Sequence, residues 1–304
     1  MASMILSASD KDCLQFHVFA DGLSVEDCER VSSLAKRLGA VREVTFHHPD
    51  MMRIRSLFKP YNGSYAAFLR LFLCEFLRED RVIYADVDTL WFKDVCELWK
   101  ESCEGVSICW CRDVPSIATC VKTYSLKWNP AFDENRYACS GVMLMNLKRM
   151  REAGLVEKCA AFAERWGTPF FVDQDILNAV CFNDAKLISQ CWDLMMPDRQ
   201  AIDGGVVHFN GVGRQFNGPM TSWRPLYWLW YRFYYDVILG QPKKRVCGRF
   251  KSLTFWLLGS LYPYRSLVRL FSWPFQSCMT DQIQRQLFFA WLWRHAKWTG
   301  KWPV

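Results

Sequence analysis

The sequence lacks an apolar run long enough to cross a lipid bilayer. A membrane-spanning helix needs about 18 or more consecutive apolar residues, and the longest uncharged apolar stretch near the C-terminus, residues 252–264, is shorter than that. The first ten residues contain neither a basic segment nor a long apolar core. We therefore expect no secretory signal peptide and no spanning helix in this chain.

The sequence also lacks the cysteine and histidine spacing of a zinc site. It has 14 cysteines, but no repeated Cys-x-x-Cys pair and no histidines at the matching distance. Cys74 and Cys181 fall on apolar positions of predicted helices, where cysteine usually serves as a small buried hydrophobe. The cysteine count alone leaves the redox compartment open.

Internal repeats, low-complexity segments and RNA-recognition signatures are absent as well. The net charge of +7 is unevenly distributed, because residues 225–304 carry twelve Lys or Arg against two acidic residues. The first 224 residues therefore sum to −3. Charge confined to one tail does not predict a nucleic-acid partner. The chain is 51% hydrophobic and 16% aromatic, which is enough apolar content for a packed core.

Residues 225–304 differ in character from residues 1–224, and we place a domain boundary near Pro225. This tail contains eight of the 15 tryptophans as well as the basic excess. Tryptophan and basic residues favour the boundary between lipid headgroups and acyl chains, which is consistent with peripheral membrane contact. A helical subdomain packed on residues 1–224 is an equally weighted alternative. Liposome flotation of the intact chain and of one ending at Pro225 would separate the two.

Hydrophobic periodicity in residues 1–224 alternates between strands and helices. Strands are predicted at residues 14–19, 41–47, 81–85, 142–147 and 205–209, and helices at residues 24–38, 65–78, 155–166 and 174–182. This alternation predicts an α/β fold with a mostly parallel sheet flanked by helices. Such sheets bind ligands beyond the carboxyl ends of their strands.

Two carboxylates, Asp86 and Asp88, directly follow the predicted buried strand 81–85. Two nearby acids cannot both remain charged in an apolar setting without a partner, so a divalent cation is a natural one. Oxygen ligands suit Mn²⁺ or Mg²⁺, and an added imidazole favours Mn²⁺. For the bare Asp-x-Asp tripeptide, a solvated loop is the stronger interpretation.

Five segments, in order, carry a family resemblance across the first two-thirds of the chain. They are residues 14–19, residues 57–60 with the helix through Arg70, residues 86–88, residues 140–146, and residues 173–178 with His208. Together they resemble the family 8 retaining glycosyltransferases, and they are most similar to the glucoside xylosyltransferases. The resemblance implies a GT-A fold, a Rossmann-like sheet, a UDP-sugar donor and a glycan or glycoprotein acceptor.

The resemblance also implies roles for individual residues. Asp86 and Asp88 are similar to the family's metal pair and His208 to its third metal ligand. Gln174 matches the residue that faces the anomeric centre, and Asp175 one that binds donor hydroxyls. The donor-binding positions implied are Arg70, Asp86, Ser140, Gly141, Asp173, Gly211 and Arg214.

Structural interpretations of the same residues stand beside these roles. Arg70 could be a solvated helix residue, and His208 could be a satisfied core histidine. For Asp173 we favour the role of N-cap of the helix that begins at Gln174. Without the family resemblance, the structural interpretation would be preferred for Arg70 and His208 as well.

Two departures from the family pattern bear on activity. The chain starts after the strand and loop with which relatives hold the uracil base, so we expect an incomplete base site. Cys139 stands where relatives commonly carry an asparagine, which removes a hydrogen-bonding group.

The predicted function is metal-dependent retaining sugar transfer from a UDP-sugar, with xylose favoured over glucose or galactose. The sequon at Asn62 would suit the lumen of the Golgi or another secretory compartment. An inactive glycan-binding or scaffold relative is the alternative. The aspartate-nucleophile phosphatases, which also carry Asp-x-Asp, fit less well because Thr89 is one place early.

Overall fold

The computed structural model describes residues 1–19, 22–61, 63–195, 204–209 and 233–240. Its helices are α1 (Ala2–Ser7), α2 (Val25–Arg37), α3 (Met52–Leu57), α4 (Leu73–Phe76), α5 (Val95–Trp99), α6 (Pro115–Ser125), α7 (Leu147–Glu152), α8 (Leu155–Trp166) and α9 (Val172–Val180). Its strands are β1 (His17–Phe19), β2 (Thr45–His47), β3 (Arg81–Ala85), β4 (Thr89–Trp91), β5 (Ile108–Arg112), β6 (Ala138–Asn146), β7 (Ala185–Leu187) and β8 (Val206–His208). Short 3₁₀ segments cover Ala66–Phe72 and Gln190–Trp192, and a π-helical turn covers Tyr234–Ile238.

Strand β6 is a central strand of a four-stranded sheet with the order β3-β6-β5-β7. It pairs antiparallel with β3 on one side and with β5 on the other, while β5 and β7 run parallel. Strands β4 and β8 form a separate antiparallel pair, and β1 and β2 a parallel one. Only three residues separate the end of β3 from the start of β4, so the β4–β8 pair lies beside the rim of the main sheet.

The side chains of β6 supply two hydrophobic cores, because successive residues of a strand point to opposite faces. Met143 and Met145 pack in one core with residues of α8 and α9. Val142 and Leu144 pack in the other with Trp91 and residues of α5. A strand buried on both faces shows no polar alternation, which explains the uninterrupted small and apolar run along β6.

The predicted α/β class is confirmed, but the predicted mostly parallel sheet needs correction. Within the described residues the main sheet is mixed, with antiparallel partners on both sides of β6. A continuous apolar run shows that a strand is buried on both faces and says nothing about the direction of its neighbours. The chain reverses between β5 and β6 through α6 and the loop that follows it, and this reversal sets the direction of β6.

Several predicted elements are found where the local signals placed them. Strand β3 has the predicted bounds Arg81–Ala85. Helix α2 begins with the predicted capping signature: Ser24 Oγ accepts a hydrogen bond from the Asp27 backbone N–H, and the Asp27 carboxylate accepts one from the Ser24 backbone N–H. Cys74 and Cys181 are buried, as expected for small hydrophobes.

The helix predicted over residues 65–78 is instead a 3₁₀ segment, Ala66–Phe72, followed by the single turn α4. Five of the seven residues of the 3₁₀ segment, Phe68–Phe72, are buried, and Arg70 is one of them. An amphipathic α-helix would turn part of this run to solvent. The tighter segment keeps the run inside, and it directs the Arg70 guanidinium towards the end of β3.

The predicted domain boundary near Pro225, the sequon at Asn62 and most of residues 225–304 lie outside the described residues. The described piece of the tail, residues 233–240, lies against α2. Arg37 Nη2 donates hydrogen bonds to the carbonyl oxygens of Val237 (3.0 Å) and Ile238 (2.6 Å). Among the helices that the structure describes, none combines the length and the apolar character needed to span a membrane.

Candidate active site

The turn that follows β3 presents two carboxylates at one rim of the sheet. The Asp86 backbone N–H donates to the carbonyl oxygen of Gly141 on β6 (2.8 Å), and the Thr89 hydroxyl donates to the carbonyl oxygen of Asp86 (2.8 Å). These bonds fix both ends of a tight turn that leads from β3 into β4. Val87, between the two acids, is 93% exposed, so the alternation of side chains puts Asp86 and Asp88 together on the inner side.

Strand β8 brings His208 to this turn. Thr89 of β4 is the register partner of His208, and the Phe209 backbone N–H donates to the carbonyl oxygen of Asp88 (2.9 Å). His208 Nε2 lies 3.4 Å from Asp88 Oδ1 and 3.8 Å from Asp86 Oδ2. Backbone pairing between two short strands therefore assembles the three side chains.

Asp86, Asp88 and His208 form a group whose ligand atoms all lie within 4.8 Å of one another. The imidazole is buried, whereas the two carboxylates retain 24% and 20% of their side-chain exposure. An ion and a ligand can therefore reach the acids from solvent. Two hard oxygen donors and one imidazole nitrogen suit Mn²⁺, and less strictly Mg²⁺, so the residues present fit the predicted cation.

Gly141 lies directly against the imidazole of His208. A Cβ atom added at Gly141 would stand 2.1 Å from His208 Cε1 and 2.6 Å from Nδ1. No real side chain tolerates such distances, so a residue without a Cβ is required for the ring to reach the two acids. The resemblance implied that Gly141 contacts the donor, and the structure adds this steric role.

Arg70 is the centre of a buried network at the same rim, and it is not the solvated helix residue of the structural interpretation. Its Nη2 donates to Asp86 Oδ1 (2.8 Å), its Nη1 to the carbonyl oxygen of Ser140 (2.7 Å), and its Nε lies 3.1 Å from Asp173 Oδ2. The guanidinium also stacks over Tyr84, 4.4 Å from the ring centroid. Through these contacts one cation holds two carboxylates from different elements.

The electrostatics of the rim are dominated by acids. Burial opposes protonation of His208, yet the charge of Asp193 and hydrogen bonds to Asp193 and Asp88 raise its pKa well above the ordinary value. Burial would raise the pKa of Asp88, but His208 lowers it overall. Burial raises the pKa of Asp173 to about 6, although the Arg70 guanidinium acts in the opposite direction. The site therefore favours positive charge between its carboxylates, which a divalent cation could supply in place of the imidazolium proton.

The prediction that Asp173 caps a helix is wrong. Helix α9 begins at Val172, its N-cap is Phe171, and no side chain caps it. Asp173 lies inside the first turn and is buried, with one oxygen accepting a hydrogen bond from Ser140 Oγ (2.9 Å) and lying close to Arg70. The buried, charged guanidinium of Arg70 is a stronger partner for a carboxylate than a neutral helix N–H. Val172 has a φ of +35°, a strained conformation for a β-branched residue that begins the helix next to the site.

Gln174 is held by three hydrogen bonds. Its Nε2 donates to Asp113 Oδ2 (2.7 Å) and to the Tyr137 hydroxyl (2.9 Å), and its Oε1 accepts from the Ser140 backbone N–H (3.1 Å). This fixes the orientation of the amide. The residue remains adjacent to Ser140, which itself contacts Arg70.

Asp175 is 1% exposed and accepts hydrogen bonds from the Tyr124 and Tyr137 hydroxyls and the Phe171 backbone N–H. Its predicted contact with donor hydroxyls would require an exchange of these partners, and that role stays a prediction. Gly211 and Arg214, the remaining predicted donor-binding residues, lie outside the described residues.

Two acidic residues of this region, Asp113 and Asp193, are not among the site residues that the sequence predicts. Asp113 directly follows β5, as Asp86 follows β3, so the same signal of an acid after a buried strand could have found it. Burial raises its pKa to about 6. Asp193 hydrogen-bonds His208 Nδ1 at 2.9 Å, and no sequence motif marks it.

The chain is similar to known glycosyltransferases over most of its length. The model of the family described as glycosyl transferase family 8 matches residues 1–214. The lipopolysaccharide 1,3-galactosyltransferase of Salmonella typhimurium is 26% identical over 244 residues, which are 73% of this chain and 67% of that protein. Human glucoside xylosyltransferase 1 is 26% identical over 230 residues, which are 65% of this chain and 50% of that protein.

A solved structure of the galactosyltransferase LgtC in complex with donor and acceptor sugar analogues has a TM-score of 0.58 at 19% identity, and the match covers 80% of this chain and 94% of that one. This likeness shows the fold, which is the GT-A fold that the sequence predicted. The chain spans 42%, 67% and 50% of the lengths of three curated relatives that it matches.

Replacement of Gly141 tests the steric role of this residue. Gly141→Ala should push the imidazole away from the acids, lowering Mn²⁺ affinity about 10-fold or more and the free energy of unfolding by about 1–3 kcal/mol. In a His208→Ala background the same change should cost less than about 1 kcal/mol, because the clash is gone. Urea denaturation and Mn²⁺ titration measure the two effects, and an equal cost in both backgrounds would contradict the clash.

Gly105→Ala is the control for the double-mutant comparison of Gly141 and His208. Gly105 has a φ of +74° and no atom within 4 Å of an added Cβ. Alanine there should cost about 1–2 kcal/mol of backbone strain and leave Mn²⁺ affinity unchanged.

Replacement of Arg70 by lysine keeps the charge and removes the planar fork of donors. Arg70→Lys should lower the free energy of unfolding by about 2 kcal/mol, since Asp86, Asp173 and Ser140 cannot all be satisfied by one ammonium group. Arg53→Lys, at an exposed pair with Glu75, should change it by less than about 0.5 kcal/mol. Equal effects in urea denaturation would show that Arg70 is not the centre of the network.

Proposed function

We propose that this chain, which belongs to glycosyl transferase family 8, transfers a sugar from a UDP-sugar to a glycan or glycoprotein acceptor with a divalent cation held by Asp86, Asp88 and His208. Family membership rests on the match over residues 1–214. The observation that carries the proposal for this chain is the convergence of the three ligand atoms within 4.8 Å of one another. It arises at the carboxyl end of β3, where an α/β sheet binds its ligands.

Mn²⁺ is the favoured cation, because one of the three ligands is an imidazole. When bound, it would neutralise the negative charge of the diphosphate leaving group. The protein's part is to hold the ligands in place before the donor arrives. Asp86 is fixed by Arg70 and by the Tyr84 hydroxyl, which donates to its Oδ1 (2.7 Å), while Asp88 keeps its carboxylate partly open to solvent.

Arg70 then acts by positioning more than by direct contact with the donor. Its guanidinium is buried, and its Nε, Nη1 and Nη2 all have protein partners within 3.1 Å. By bridging Asp86 at the cation site and Asp173 on α9, it fixes the distance between the cation and the residues proposed to face the sugar. Such prepositioning lowers the reorganisation needed during reaction.

Gln174 is the residue we place nearest the anomeric centre. Its amide is oriented by Asp113, Tyr137 and Ser140, so it presents a fixed dipole. In a retaining reaction on one face of the sugar, a fixed dipole could stabilise an oxocarbenium-like centre without forming a covalent bond. The retaining outcome itself is part of the proposal.

UDP-xylose is the first donor to test, followed by UDP-galactose and UDP-glucose, since two relatives of this chain are named for xylose and galactose transfer. The alternative is an inactive relative that binds glycans. Cys139 motivates that alternative, although its thiol is buried on the Nδ1 side of His208, 3.8 Å from that nitrogen. This position is on the opposite edge of the ring from the two acids.

Donor hydrolysis separates the two functions. With Mn²⁺, the wild-type chain should slowly hydrolyse at least one UDP-sugar, and Asp88→Asn should reduce the rate about 100-fold or more, because a charged ligand is lost. Asp88 is preferred over Asp86 because its side chain does not hold Arg70. Release of UDP is the measurement, with Asp12→Asn at an exposed position as the control that keeps full activity. No hydrolysis of any UDP-sugar by the wild type would support the inactive relative.

A further inference from the structure

We infer that Asp193 is a positioning residue of the cation site: its carboxylate holds the His208 ring so that Nε2 faces Asp86 and Asp88. The inference rests on the proposed function, because it concerns the ligand set of the proposed cation. Asp193 lies outside every segment that carries the family resemblance.

The geometry assigns the two ring nitrogens of His208 to different tasks. Nδ1 lies 2.9 Å from Asp193 Oδ1, at hydrogen-bond distance, whereas Nε2 lies 3.4 Å from Asp88 Oδ1. A carboxylate accepts hydrogen bonds, so the proton of the neutral ring is drawn to Nδ1. The lone pair of Nε2 is then directed at the two acids, which is the arrangement a metal ligand needs.

The backbone holds Asp193 rigidly in this place. The Leu194 backbone N–H donates to the carbonyl oxygen of Val206 (2.8 Å), and the His208 backbone N–H donates to the carbonyl oxygen of Leu194 (3.0 Å). The segment that carries Asp193 is thus bonded directly to β8. Gln190 Nε2 adds a hydrogen bond to the carbonyl oxygen of Asp193 itself (2.8 Å). The backbone of Asp193 is therefore fixed relative to β8, mainly by the two backbone hydrogen bonds of Leu194.

The burial of Asp193 is hard to explain by stability alone. The residue is fully buried, and its Oδ2 has no hydrogen-bond partner among the described residues. A buried carboxylate with only one of its two oxygens hydrogen-bonded lowers the stability of the fold. An apolar residue would fill the same space without that cost. A carboxylate that orients His208 and increases the basicity of Nε2 would account for a charged group at this position.

A cation bound among Cys139, Asp193 and His208 would be a different use of the same groups, whose ligand atoms also lie close together. That arrangement would make Nδ1 a ligand. All three groups of that set are buried, whereas Asp86 and Asp88 are partly open to solvent. A cation that must also contact a donor therefore fits the set with Asp86 and Asp88, and this favours the positioning role for Asp193.

Mn²⁺ titration of the full chain, with free Mn²⁺ measured by electron paramagnetic resonance, tests the inference. Asp193→Asn keeps the shape and one acceptor, so the fold should survive while affinity falls about 10-fold; Asp193→Ala frees the ring, and affinity should fall about 100-fold. Asp184→Asn is the matched control. Asp184 is a part-buried acid bound to Arg149 and Ser107, and its replacement should leave Mn²⁺ affinity unchanged.

A readout that does not involve the metal complements the titration. The chain has five histidines, few enough for their side-chain ¹⁵N resonances to be resolved by NMR, and His208→Ala identifies the resonances of His208. At a pH where the ring is neutral, wild-type His208 should carry its proton on Nδ1. Asp193→Ala should shift the population towards the Nε2-protonated form, whereas Asp184→Asn should not.

The outcomes separate this inference from the proposed function. If the wild type binds Mn²⁺ and both Asp193 variants bind it within twofold of the wild type, the inference is wrong and the cation site stands. If the wild type binds no Mn²⁺, the cation of the proposed function is wrong and the inference with it. Cys139→Ser should keep wild-type Mn²⁺ affinity, and a loss as large as that of Asp193→Asn would overturn the positioning role in favour of the group that includes the thiol.

Discussion

Pairing between β4 and β8 is the interaction on which the site depends. These strands are only three residues long, yet their register places His208 beside the turn that carries Asp86 and Asp88. The two carboxylates in this space attract positive charge, either a protonated imidazole or a cation bound between them. The chemistry of the rim therefore follows from a few backbone hydrogen bonds, together with a glycine at position 141 that leaves room for the ring.

Buried charge links this rim to the rest of the fold. Arg70 arrives from a 3₁₀ segment, Asp86 from the end of β3 and Asp173 from the first turn of α9, and the guanidinium binds both acids. On the other side of the imidazole, the Asp193 carboxylate is hydrogen-bonded to Nδ1. The proposed cation site is thus held from two directions by groups that are themselves anchored to the sheet, and such second contacts fix the geometry of ligands.

The sequence predicted the parts of this arrangement that have local signals. Strand β3 ends on an acid, α2 begins with a capping box, and both were placed correctly. Asp86, Asp88 and His208 were grouped through their resemblance to a known family, since the bare Asp-x-Asp tripeptide and a lone histidine would not have been enough. The structure brings these three together, and the match to the family covers the residues that carry them.

The sequence could not predict contacts that depend on the direction of the chain in space. The orientation of β6 relative to its neighbours has no hydrophobic signature, so a mixed sheet was expected to be mostly parallel. The local pattern predicts Asp173 as a helix cap, because its tertiary partner, Arg70, lies about a hundred residues earlier in the chain. Asp193 lies in no recognisable sequence motif. Its contact with His208 depends on the hydrogen bonds between the segment before β8 and that strand.

The most direct test of the account is the position of Mn²⁺ in crystals of the full chain grown with Mn²⁺ and UDP, located by anomalous scattering. We expect an anomalous peak at coordination distance from the Asp86 and Asp88 carboxylates and from His208 Nε2, with Nδ1 still hydrogen-bonded to Asp193. A peak elsewhere, or a His208 ring turned so that Nε2 faces away from the two acids, would contradict it.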